Sequence, residues 1–184
     1  MSESVSGESA SITFEDAIVQ TQTLLAAMSS ATLSEVSITT TIAQLVRSID
    51  GARGFFVTYL MDERPLADQV TPSVIQALQS SPEIVAELLI KNLAMSSAMA
   101  VYHRRQHDQA MATGSDRVQA RSLRLIQALK LAIVPEKAQQ LLTSTTTGQG
   151  QYQAFLDRWH YDQEQQQAIQ QAMEQVLVMS SSMV

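Results

Sequence analysis

Apolar residues recur at helical spacing along nearly the whole chain. Phe14, Ala17, Ile18, Thr21, Leu25 and Met28 form a first stripe. Thr13 stands before it as an N-cap, since its hydroxyl can accept a free N–H of the first turn. Glu15 and Asp16 then complement the helix dipole. A second stripe runs through Ile38, Ile42, Leu45, Val46 and Ile49 behind Ser34. Gly51 stands where a left-handed residue closing that helix is expected. The run from Phe55 to Met61 has the composition of a strand but the spacing of a helix. A lone strand finds no partner in a helical chain, so a helix is predicted there, ended by Pro65.

Two further starts share one grammar. Thr71-Pro72 and Ser81-Pro82 each place a hydroxyl at the N-cap and a proline where its missing N–H costs nothing. The first predicts a helix over Pro72–Gln79. The second predicts the longest helix, from Pro82 to about Met111. Through Val101 that segment is apolar or small apart from a line of Glu83, Glu87 and Lys91, the pattern of a helix buried on most sides. Gly114 is expected to break it. Ser115 would then cap a basic helix ending near Val134-Pro135. A short helix follows over Glu136–Thr143, then a loop from Thr143 to Gly150, then a helix over Tyr152–Trp159. The last helix, about Asp162 to Met179, is Gln-rich with an apolar stripe of Ile169, Ala172, Met173, Val176 and Leu177. The expected fold is therefore all-α: one domain over 12–184, of about seven to nine helices around a long central helix at about 82–111. Residues 1–11, Ser-rich with Glu3 and Glu8, read as a disordered lead-in.

Composition narrows the chemistry. The chain has 184 residues, enough for one domain with a real core, and 45% of them are hydrophobic. It has no cysteine, which excludes disulfides, thiolate metal sites, thiol catalysis and thioether-linked cofactors. The N-terminal segment lacks the positive start and apolar run of a secretory signal. The most apolar window, Ile84 to Tyr102, contains Glu87 and Lys91 and reads as a core helix rather than a membrane span. A cytoplasmic protein is expected, with no cofactor and no membrane.

Charge is unevenly placed. Arg104, Arg105, Arg117, Arg121, Arg124 and Lys130 are six of the twelve Lys and Arg residues, on a chain of net charge −6. Arg117, Arg121 and Arg124 fall at i, i+4 and i+7, on one face of their helix, with Val118, Leu125 and Leu129 on another. With Arg104, Arg105 and His107 across the expected turn at Gly114, they could cradle a phosphate or carboxylate. The competing reading is a solvated face paired with Asp or Glu of neighbouring helices. Nucleic acid is not the expected partner, because the net charge is negative and no aromatics interleave with the basic residues.

His103 and His107 are four apart, so on one helix both imidazoles can face one metal. Arg104 stands where a metalloprotease helix carries Glu; Asp108 is the nearest possible carboxylate ligand and His160 the only other histidine, so further ligands must come from elsewhere. The competing reading is two solvated histidines at a helix end. The carboxylates of Asp62, Glu63 and Asp68 read as a turn with local ion pairs. Met95, Met99 and Tyr102 read as core. Trp159-His160-Tyr161 is the one aromatic triplet and reads as an anchor for the last helix. No phosphate loop, nucleophile elbow or Ser/His/Asp grouping is present.

Three stretches of the middle third, Arg53–Asp68, Ser80–Val85 and Lys91–Ser96, resemble a family of uncharacterised cyanobacterial helical proteins. The resemblance implies no activity and no site. The expected function is thus a non-catalytic interaction or regulatory protein. It would self-associate or bind a protein partner through Ile169, Met173, Val176 and Leu177 on the last helix. The alternative is a binder of, or enzyme acting on, a small anionic ligand, using the His103–Arg124 region.

Overall fold

The structure, a computed structural model, describes residues 12–181. The expected lead-in lies outside them. Among the described residues there is no strand. The chain folds as α1 (Phe14–Ser29), α2 (Glu35–Leu45), α3 (Ile49–Met61), a 3-10 turn (Pro65–Ala67), α4 (Pro72–Gln79), α5 (Pro82–Arg105), α6 (Gln109–Leu129), α7 (Val134–Thr147), α8 (Gln153–Trp159) and α9 (Gln163–Ser181). The nine α-helices among the described residues, one of them long and central, match the pattern of apolar positions.

The α5–α6 hairpin is the spine. Val85, Ala86, Leu89, Ile90, Leu93, Ala94 and Ala98 of α5 are fully buried. They meet α6 along one side, α9 along another, and α3, α4 and α7 at the remaining edges. By length and composition Pro82–Arg105 could cross a membrane, but its apolar faces are taken up by these helices. On one flank α1 packs on α3 and α2 on α4; on the other α7 packs on α9. One core cluster runs from Ala17 to Val176 through all of them.

The ambiguous run Phe55–Met61 is helical. Its aromatics stack along one face, with the Phe55 and Tyr59 rings 5.1 Å apart. The α1–α3 crossing depends on a missing side chain. A Cβ at Gly54 would stand 2.5 Å from the Ala17 methyl and 2.7 Å from the Phe14 carbonyl oxygen. Close approach of two backbones is the reason for glycine here.

Three boundaries differ from expectation. Gly51 does not close α2; it lies inside α3. There the Ser48 hydroxyl accepts its N–H at 3.1 Å and starts the helix. The central helix ends at Arg105, not near Met111. His107 turns left-handed at φ 57°, and Asp108 caps α6 by accepting the Met111 N–H at 3.0 Å. Gly114 therefore sits within α6, where a helix tolerates glycine at about 1 kcal/mol. The basic helix then stops at Leu129, before left-handed Lys130. Finally, the expected loop from Thr143 is mostly helix. The hydroxyls of Thr143, Ser144, Thr146 and Thr147 donate to carbonyls one turn back, so α7 runs on until Gly148 at φ 69°.

Candidate functional site

The basic region is neutralised from within. Arg121 lies on the same face of α6 as Val118 and Leu125, and its side chain is 2% exposed. Its guanidinium donates to both Asp68 carboxylate oxygens at 2.9 Å, to the carbonyls of Leu60 (2.9 Å) and Asp62 (2.6 Å), and to that of Arg64 (3.1 Å). A guanidinium has five N–H donors, and all are satisfied. Arg121 thus clamps the carboxyl end of α3 and the following turn, where helix carbonyls lack partners. It has no donor left for an external anion.

Three of the neighbouring arginines are paired as well. Arg124 meets Asp68 at 3.2 Å and Arg104 meets Asp116 at 2.6 Å. Arg105 spans to Asp162 and Glu164 at the start of α9. Of the arginines expected in an anion cradle, Arg117 alone makes no ion pair among the described residues. The expected cradle is thus divided among three separate contacts. His103 and His107 are not joined either. His103 belongs to α5, its ring edge-on to Tyr102, while the left-handed turn carries His107 off that helix. Among the described residues no group of three potential ligands could hold a metal.

The stripe expected to meet a partner is used inside the chain. Ile169, Met173 and Val176 are fully buried and Leu177 packs at their edge, because α9 lies on α5 and α7. Periodicity foretold a buried face; the partner is the protein's own spine.

A second polar group joins α5 to α7 and α8. Glu87 accepts from Lys91 (2.8 Å), Lys137 (3.1 Å) and the Tyr152 hydroxyl (2.7 Å). Burial alone would raise its pKa, but the hydrogen bonds from Lys91, Tyr152 and Lys137 outweigh it and hold the carboxyl below its usual range. Burial first, and the Glu87 carboxylate second, push the Tyr152 hydroxyl upward. The Lys91 ammonium also lies over the rings of Tyr152 (5.8 Å) and Phe155 (5.6 Å).

Beside this group is a cavity of about 360 Å³. Ser144, Thr145 and Gly148 of α7 and its cap line one wall, Gln153, Leu156, Asp157 and His160 of α8 and its cap another, and Tyr161 and Gln166 the third. Local structure places these walls. Gly148 and Gly150, both at positive φ, reverse the chain after α7, and left-handed His160 reverses it again into α9. Tyr161 is 6% exposed. Its hydroxyl and the Gln153 Oε1 are buried and have no hydrogen-bond partner among the described residues. Burial pushes the Tyr161 hydroxyl well above its ordinary value, so it stays protonated. The aromatic triplet marked this region in the sequence. Gln153 and Asp157 carried no signal there, being polar residues on the short helix α8, and Gln166 is one of many glutamines on α9.

Residues 13–176 match the family model described as "Uncharacterised conserved protein UCP020893". No curated protein and no solved structure matches the chain.

Proposed function

The chain belongs to the family of uncharacterised conserved protein UCP020893, and we propose that it works as a non-catalytic helical binding protein, taking a small polar molecule between α7, α8 and α9. The observation that carries this is the pair of orphaned atoms. Nine in ten or more buried polar groups in folded proteins have a partner. Here the Tyr161 hydroxyl and Gln153 Oε1 both lack one, and their residues line the same cavity. About 360 Å³ is within the range of small-molecule pockets.

A binding role rather than a catalytic one is supported by the state of the nucleophiles at its wall. The Ser144 and Thr145 hydroxyls donate to backbone carbonyls of α7, at 2.9 and 2.8 Å, not to a base. The test is amide chemical-shift mapping against a panel of small polar compounds. Shifts confined to residues 144–166, and weakened by Tyr161→Phe, are expected. No compound shifting that region would sink the reading.

A second reading, association with another copy of the chain, is favoured by a different observation. Val19, Leu33, Val36, Ile49, Val57 and Met61 are each more than a third exposed, and all lie between residues 19 and 61. Self-association would then use the α1–α3 flank rather than α9. Light scattering of the full chain beside a Val36→Ser, Ile49→Ser variant tests it. A monomer at all concentrations would discard it.

A further inference from the structure

We infer that the guest of the α7–α9 cavity is a small molecule presenting N–H or O–H donors and carrying no negative charge. This rests on the cavity being a binding site and goes on to the chemistry its wall selects.

The wall's Ser and Thr hydroxyls, and one N–H of each glutamine amide, are already engaged. Ser144 Oγ donates to the Gln140 carbonyl and accepts the Tyr152 N–H at 3.2 Å. Thr145 donates to the Leu142 carbonyl. The Gln166 amide donates to the Tyr161 carbonyl at 2.9 Å, and the Gln153 amide donates to Asp157 at 2.7 Å. That last bond fixes the Gln153 side chain with its nitrogen on Asp157, leaving its oxygen buried and unpaired. What remains at the wall is richer in acceptors than donors: Gln153 Oε1, the remaining lone pairs of the Asp157 carboxylate and the Tyr161 hydroxyl, which can also donate, beside the second N–H of each glutamine amide. The His160 imidazole is exposed at the rim.

Among the described residues no Lys or Arg lines the cavity. The Lys91 ammonium lies over the Phe155 ring, which meets the Tyr161 ring at 6.5 Å, but Glu87 holds it at 2.8 Å. An anion entering would face Asp157 and unpaired acceptors with no counter-charge, and would lose its hydration for nothing. An amide, a polyol or a primary ammonium would satisfy Gln153 Oε1 instead. The space holds roughly a dozen waters at ~30 Å³ each, enough for a compact molecule.

The experiment compares near-isosteric probes on the full chain by amide chemical-shift titration. Succinamide, glycerol and 1,4-diaminobutane are the donor arms, and succinate is the anionic arm. Shifts at residues 144–166 with at least one donor probe, and none with succinate, are expected. Gln153→Leu should weaken that binding roughly three- to tenfold. Which donor probe binds separates a neutral guest from a cationic one. Succinate binding as well as or better than succinamide would overturn the donor rule while leaving the cavity as a binding site. No probe binding, with waters alone filling the space, would overturn both.

Discussion

Arg121 and Asp68 face each other as a fork on a fork, with Nε and Nη2 each 2.9 Å from one carboxylate oxygen. Fifty-three residues separate them. The guanidinium is buried, while the Asp68 side chain is 41% exposed. The pair therefore works less as a buried ion pair than as an anchor for a cation whose other donors hold three backbone carbonyls.

Arg121→Met should cost about 2–4 kcal/mol, because the carbonyls of Leu60, Asp62 and Arg64 lose their donor along with Asp68. Arg121→Lys should recover less than half of it, since an ammonium cannot reproduce the planar fork. Urea unfolding of the three proteins measures this. Equal midpoints would show that the clamp does not hold the turn.

Acid should loosen the same joint. A hydrogen bond from Arg121 holds Asp68 below its ordinary 3.8, and one from Arg64 does so for Asp62. Glu87 lies below its ordinary 4.5. A carboxylate whose folded pKa is lowered stabilises the fold above its unfolded value, and that contribution is lost as pH falls through the folded one. Stability should thus be level above about pH 4.5 and fall below 3.8. Asp68→Asn should lose stability at neutral pH and show a shallower acid limb. Denaturation midpoints between about pH 3 and 7 check this; an unchanged limb would remove Asp68 from the acid response.

Two glycines predict opposite signs. Gly54→Ala drives a methyl into the Phe14 carbonyl and the Ala17 methyl and should destabilise by about 1–3 kcal/mol. Gly114→Ala meets nothing within 4 Å in the interior of α6 and should stabilise by ~0.5–1 kcal/mol. Thermal melting of both variants distinguishes them. A gain at Gly54 would mean that α1 and α3 can part without loss.

Tyr161→Phe deletes a hydroxyl that the fold leaves unpaired. The ligand-free protein should then hold its stability or gain up to ~1 kcal/mol. A loss of that size would identify a bond on which the empty protein relies, and Tyr161 would be a structural residue.

The fold was largely legible because amphipathic spacing dictates helices, and most of their starts carried local signals. Thr13, Ser34 and the Thr71-Pro72 and Ser81-Pro82 pairs all stand at the starts expected of them. Apart from the end of α7, which runs past its expected stop to Gly148, the misplaced boundaries were those where a helix closes without glycine or runs through it. His107 turns left-handed with a Cβ, and Gly114 is carried inside a helix by its neighbours.

The basic cluster was legible as charge but not as pairing, since Asp68, Asp162 and Glu164 reach it only through tertiary contact. One local sign was present: Arg121 stands three residues after Val118 and four before Leu125, within an apolar stripe rather than opposite it. The cavity had no comparable sign. Its wall is built where three helices meet, and an unpaired oxygen such as Gln153 Oε1 is defined by what surrounds it.

The Arg121 clamp also sets an order in time. The turn it holds, from Leu60 to Asp68, is synthesised more than fifty residues before the buried cation that satisfies it. While the chain is being made, α1–α4 can assemble, but the carboxyl end of α3 keeps its carbonyls in water until α6 arrives. The N-terminal flank is therefore finished by a residue it does not contain, and a nascent chain stopped short of Arg121 should present this joint open to proteases.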